Sequence, residues 1–217
     1  MSPSTGYTAE KLPELEVAFE EQVEHGTYDL DACLTLLRLY SFSPEHVNIN
    51  VISKILIKAM LQLPSPDFAL MLNMIPERLQ DEQPLAALIA LTQHLEGARF
   101  QAFWVAVDSC RDIVKSVPGF FDAVRAYILG AICSTCQKVT KGTLADSLRL
   151  DGAPLDDLIQ QKIKTSKWTT ASSPTGKTIL VLPKNEFNVI RGTDSSQSSH
   201  RGYGLTDISG VLLKAQS

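Results

Sequence analysis

Positive charge is the first thing in short supply: 20 Lys and Arg stand against 24 Asp and Glu, a formal net charge of −4 in 217 residues. Non-specific affinity for nucleic acid rests on clustered cations displacing counterions, so the molecule as a whole repels phosphate and any basic patch must be local. Cysteine is scarce too, with 4 residues scattered along the chain. That excludes a disulfide scaffold, and with no export signal it points to free thiols in a reducing compartment, the cytosol by default. No apolar run is long. The most hydrophobic segment, VISKILIKAMLQL, carries Lys54 and Lys58 and falls short of the roughly 20 residues that cross a bilayer, so no membrane partner is expected. The opening MSPSTGYTAEKLPELEV lacks the basic and apolar regions of a secretory leader. Glycine and proline are near average usage, and a mean hydropathy of +0.02 supplies enough apolar surface for a core.

What remains is helix after helix. PELEVAFEEQVEHG places Leu15, Ala18, Phe19, Gln22 and Val23 on one stripe and stops at Gly26, and YDLDACLTLLRLY repeats the pattern with Leu30, Leu34, Leu37 and Tyr40. Val51, Ile52, Ile55, Leu56, Ala59 and Met60 stripe the third run. Ser65 is expected to cap the next, with Pro66 in its first turn and Asp67 against the helix dipole. Leu85, Leu88, Leu91, Thr92 and Leu95 follow, ending at Gly97. RFQAFWVAVDSCRDIVKSVPG then reads as one helix with Phe100, Phe103, Trp104, Val107, Ile113 and Val114 inward, and FDAVRAYILGAICSTCQKVTKG closes the series. Helices joined by short Pro/Gly turns stack as antiparallel neighbours. With no fixed repeat in the letters, the expectation for residues 1–139 is a HEAT-analogous α-solenoid.

The character changes at residue 140. Thr143 is expected to cap LADSLRL, with Leu144, Leu148 and Leu150 apolar, and Pro154 opens PLDDLIQQKI with Leu155, Leu158, Ile159 and Ile163 on one stripe. SSPTG then reads as a turn before the β-branched run Thr178 to Val181. Helix, helix, hairpin is the order of a winged-helix domain over 140–190. A Ser/Gly-rich segment and a short helix carrying Leu205, Ile208 and Leu212 complete the chain over 191–217. The expected class is therefore mainly α, with one small β-hairpin.

Little here points to chemistry. Cys133 and Cys136 form a CxxC, but a redox pair needs its first thiol at a helix N-terminus, and these fall late in a helical run, where burial as packing residues is expected. A thiol oxidoreductase is the rival reading. Cys33 and Cys110 are isolated and no His pair has ligand spacing, so neither metal nor cofactor is expected. SPTGKT lacks the first glycine of a phosphate loop and runs into a strand instead of a helix. No catalytic elbow accompanies the 4 histidines, and the chain reads as a non-enzyme. As a DNA reader, the second helix of the 140–190 unit would lead with Asp156-Asp157, which opposes phosphate; a winged-helix nucleic-acid binder thus stands as the alternative to a docking module. The aromatic trio Phe100, Phe103 and Trp104 reads as core first and docking anchor second. Ile179 and Val181, in a strand apolar on both faces, suggest an open edge for a partner.

Stacked helices ending in a winged helix describe scaffold subunits of the proteasome lid, the signalosome and eukaryotic translation initiation factor three. TYDLDACLTLLRLYSFSPE, PSPDFALMLNMIPERLQDEQPL, HLEGARFQAFW, VPGFFDAVRAYI and VLPKNEFN closely resemble segments of the subunit-k family of that initiation factor. The resemblance implies a non-enzymatic subunit that docks onto other subunits of the factor, chiefly subunit l, and supports initiation on the small ribosomal subunit. A signalosome or proteasome-lid subunit is the neighbouring alternative. RGTDSSQSSHRGYG departs from the pattern as extra sequence before the final helix.

Overall fold

Aspartate and asparagine start the first well-capped helices. The computed structural model describes residues 11–172 and 176–189. Helix α1 spans Leu12–Glu24, and Gly26 at φ +69° turns the chain after it. In α2 (Leu30–Phe42) the Asp29 carboxylate accepts from the Ala32 N–H at 3.1 Å, and in α3 (Ile49–Met60) Asn48 does the same for Asn50 and Val51. Helix α3 is the axis of the stack. All six of its expected stripe residues are buried, and so are Ile57 and Lys58, because α1, α4, α6 and α8 surround it. Helix α4 covers Asp67–Leu72, α5 Glu77–Gln80, α6 Leu85–Glu96, α7 Phe100–Ser109, α8 Arg111–Val114 and α9 Phe120–Thr135. The five stripe residues of α6 are all buried, as their spacing requires.

Two starts differ from expectation. Ser65 does not cap α4: Pro66 holds the cap position, and the Ser65 hydroxyl donates to the Asp67 carboxylate instead. The long run from Phe100 is two helices, broken where Cys110 leaves helical geometry at φ −126°, ψ 30°. That break lets α8 turn onto α3 with Val114 fully buried.

The remainder is a strand, two helices and a hairpin: β1 (Lys138–Thr140), α10 (Lys141–Leu148), α11 (Ala153–Ser166), β2 (Thr169–Ser172) and β3 (Thr178–Val181). Thr140, not Thr143, caps α10, accepting from the Thr143 N–H at 3.1 Å. The sheet is antiparallel in the order β1-β3-β2, with Val139 and Thr170 both opposite Leu180. Val139 and Leu180 face inward onto Leu144, Leu148, Leu155 and Ile159, and this core runs without interruption into that of the helical stack. The division at residue 139 thus falls inside β1. Leu205, Ile208 and Leu212 lie outside the described residues. Among the described residues no helix is long and apolar enough to cross a membrane.

Burial has a titration consequence in α2. Desolvation, reinforced by Asp29 and opposed by Lys58, pushes the Cys33 thiol up to about 12. A group raised in the fold adds stability below its unfolded pKa, and that stability is lost as pH rises through the folded value. The unfolding free energy of wild type relative to Cys33→Ala should therefore fall by up to about 1.4 kcal/mol per pH unit between roughly pH 9 and 12. Urea midpoints at about pH 8 and pH 11 test this; a difference that stays constant or grows is incompatible with it. Comparison with the variant cancels the buried Tyr40, also shifted upward by burial, whereas Tyr28, raised by burial, and Lys58, lowered by burial, interact with Cys33 and add a smaller share to the difference.

Candidate functional site

The aromatic trio proves to be a joint. Phe103 is 0% and Trp104 4% exposed, so neither is available as a docking anchor, and Phe100 is half-buried against the same core. Phe103 meets Trp104 edge-on at 5.1 Å, and Phe121 stacks on Trp104 at 6.5 Å and 11°. The Trp104 indole N–H donates to the Ser147 carbonyl at 2.8 Å, which ties α7 to α10. Arg125 stands 5.8 Å over the same indole and donates from Nε to the Leu148 carbonyl at 3.2 Å. Arg149, left-handed at φ +50°, forks onto Asp108 with two bonds of 2.9 Å and holds that carboxyl below its usual range. The last turn of α10 is thereby fixed to α7 and α9.

The sheet corrects the edge reading. Strand β3 is the middle strand, so Ile179 and Val181 are not on an edge; among the described residues the unpaired edges belong to β1 and β2. Both side chains are half-buried on the outer face of the sheet, Ile179 between Thr140 and Ala171 and Val181 between Lys138 and Thr169. Strand β1 carries no local signal, because KVT follows an apolar helical run and is a strand only by pairing with residues 179–181. It was not expected.

Sequence reasoning also missed a turn that closes the sheet. Asn185 Oδ1 accepts from the N–H groups of Phe187 and Asn188 at 2.8 and 2.9 Å, and Asn188 Oδ1 accepts from the Asn185 N–H at 2.9 Å. Their amide nitrogens reach outward: Asn185 Nδ2 donates to the Cys133 carbonyl at 2.9 Å, and Asn188 Nδ2 to the carbonyls of Cys136 and Pro183 at 3.2 and 3.1 Å. Side-chain amides thus satisfy the open carbonyls at the end of α9. The Asn-x-x-Asn spacing of NEFN was the available signal, since Asn favours turns by bonding its own backbone two residues on. Held on this turn, Phe187 is 74% exposed and Val189 41%.

Cys133 lies in the last turn of α9 and Cys136 is its C-cap, both half-buried and not sealed inside a helix as expected. Burial raises the Cys133 thiol, with Lys162 pulling the other way. A helix C-terminus disfavours thiolate, opposite to the arrangement of a redox CxxC. Among the described residues no three His, Cys, Asp or Glu side chains converge as metal ligands. The hairpin expected around SPTGKT is present, with Ser172 opposite Thr178; its tip, 173–175, lies outside the described residues.

Comparison with known proteins gives these surfaces a context. The model of the CSN8/PSMD8/EIF3K family matches residues 46–187. The chain is 35% identical over 185 residues to eukaryotic translation initiation factor 3 subunit K of Mus musculus, covering 82% of this chain and 83% of that protein. Its identity to the subunit K of Xenopus tropicalis is 34% over 201 residues, 88% and 90% of the two chains. With that of Dictyostelium discoideum it shares 36% over 154 residues, 70% and 62%.

Proposed function

The chain belongs to the CSN8/PSMD8/EIF3K family and within it to the subunit K group of eukaryotic translation initiation factor 3, and from that premise we propose that it is a non-catalytic scaffold subunit of that factor. The observation that carries the reading is identity of about a third sustained over four fifths or more of both chains in the mouse and frog relatives. Structurally, α1–α9 are read as the HEAT-analogous stack, and β1-α10-α11-β2-β3, with β3 between β1 and β2, as the winged helix. The subunit works in the cytoplasm and docks on other subunits of the factor, chiefly subunit l. Through them it supports initiation on the small ribosomal subunit.

Two kinds of surface support docking. Among the described residues the edges of β1 and β2 offer unpaired backbone groups, and Ile179 and Val181 give the outer sheet face an apolar centre. Leu205, Ile208 and Leu212, which lie outside the described residues, are proposed as further interaction residues from their apolar spacing in the sequence alone.

Purification from cells of its source at moderate salt, followed by identification of what accompanies the chain, tests the reading. Other initiation-factor subunits are the expected companions. Recovery of the chain alone would sink the proposal, and recovery with signalosome or proteasome-lid subunits would reassign it within the same family.

A further inference from the structure

The net charge of −4 hides a division. Residues 11–137 carry 16 acidic and 9 basic side chains, whereas residues 138–189 carry 5 acidic and 8 basic. From Leu158 onward that second part holds 5 lysines and one acid, Glu186. Of its lysines, Lys141 is paired with Asp156 at 2.5 Å, while Lys138, Lys162, Lys167 and Lys184 make no ion pair among the described residues.

The fold draws these four toward one end of the sheet. Lys138 and Thr169 flank Val181 on the outer face about 10 Å apart, and Lys167, two residues before Thr169, enters β2 at the same end of the sheet. The Leu182 N–H donates to the Gln137 carbonyl at 2.9 Å, which returns the chain beside Lys138 and carries Lys184 there. Lys162 acts on the Cys133 thiol, under the turn that Asn185 anchors. A helix C-terminus attracts cations, but the carbonyls of Cys133 and Cys136 are already taken by Asn185 and Asn188, so these lysines are not consumed as caps. Three residues after Lys184 stands Phe187, 74% exposed on a turn rigid by its own hydrogen bonds.

We infer that this end of the sheet binds the sugar-phosphate backbone of single-stranded RNA without sequence preference, the lysines holding phosphates and Phe187 stacking a base. Cations along a groove with an exposed aromatic are the elements of such binding. An acidic protein segment would use the lysines but leave the exposed ring without a role. The Asp156-Asp157 pair does not oppose it. Those residues sit five or more positions from Lys162 on α11, about 8 Å or more along the axis, a full screening length at physiological salt.

Fluorescence anisotropy of the full chain with a labelled oligouridine of about 20 nucleotides tests the inference. Binding should weaken steeply with salt, with a log–log slope of about −0.7 per phosphate held. The pair Lys138→Gln and Lys184→Gln, both exposed, should flatten that slope by about 1.4. Phe187→Ala should weaken binding about 5-fold or more at unchanged slope. Absence of binding at low salt overturns the inference, and so does a slope that ignores the lysine variants. Equal affinity for polyglutamate, unaffected by Phe187→Ala, also overturns it and assigns the patch to acidic protein. None of these results bears on subunit membership, which co-purification reads separately.

Discussion

Trp104→Ala is expected to lower the unfolding free energy by about 3–5 kcal/mol, the range for deleting a buried large aromatic side chain. The residue is 4% exposed and contacts Phe103, Phe121 and Arg125 while donating to Ser147. Deletion leaves a cavity where α7, α9 and α10 meet and strips the Ser147 carbonyl of its donor. Trp104→Phe keeps most of the apolar surface and removes the N–H, so it should cost about 1–3 kcal/mol. Urea unfolding of the two variants separates cavity from hydrogen bond. A cost below about 1 kcal/mol for alanine would contradict the placement of this ring as the joint between stack and sheet.

Asn188→Ala should cost about 2–4 kcal/mol, a large effect for the loss of a small polar side chain. Asn188 is 6% exposed, and its amide serves Cys136, Pro183 and the Asn185 N–H at once. Alanine leaves three backbone groups without those partners, each worth about 1–3 kcal/mol where water cannot replace the bond. The damage should be local. Amide exchange at Leu182, whose N–H donates to Gln137, should accelerate well before that of α3. Uniform acceleration across the chain would show that the turn is coupled to the whole core and not to the sheet end alone.

The helices were legible because their signal is local. A 3.6-residue stripe such as Leu85, Leu88, Leu91 and Leu95 needs no knowledge of the rest of the chain to be read as a buried face. Where reading failed, a distant partner decided. Val139 continues the apolar rhythm of α9 yet belongs to a strand, because Leu180 lies opposite it. The same pairing turned β3 from a supposed edge into the centre of the sheet. Cys110 breaks a run with unbroken helical periodicity because the following turn is drawn onto α3. The caps at Ser65 and Thr143 were misplaced by one to three residues, the usual uncertainty where several hydroxyls and carboxylates compete for one helix end. Of the site, the lysines were visible as letters, but their gathering at one end needed the register. Phe187 is exposed because Asn185 and Asn188 fold NEFN into a turn whose carbonyl partners lie some fifty residues earlier in the chain.

Strand β1 meets its partner some forty residues further along the chain. On a translating ribosome, adding residues at roughly 5–20 per second, that interval lasts about 2–8 seconds. Through it the stack of α1–α9 can close on itself, while Val139 waits uncovered for Leu180. The sheet is therefore a late assembly whose first strand is made long before its last, and a nascent chain paused between the two would present a finished helical body with an open seam.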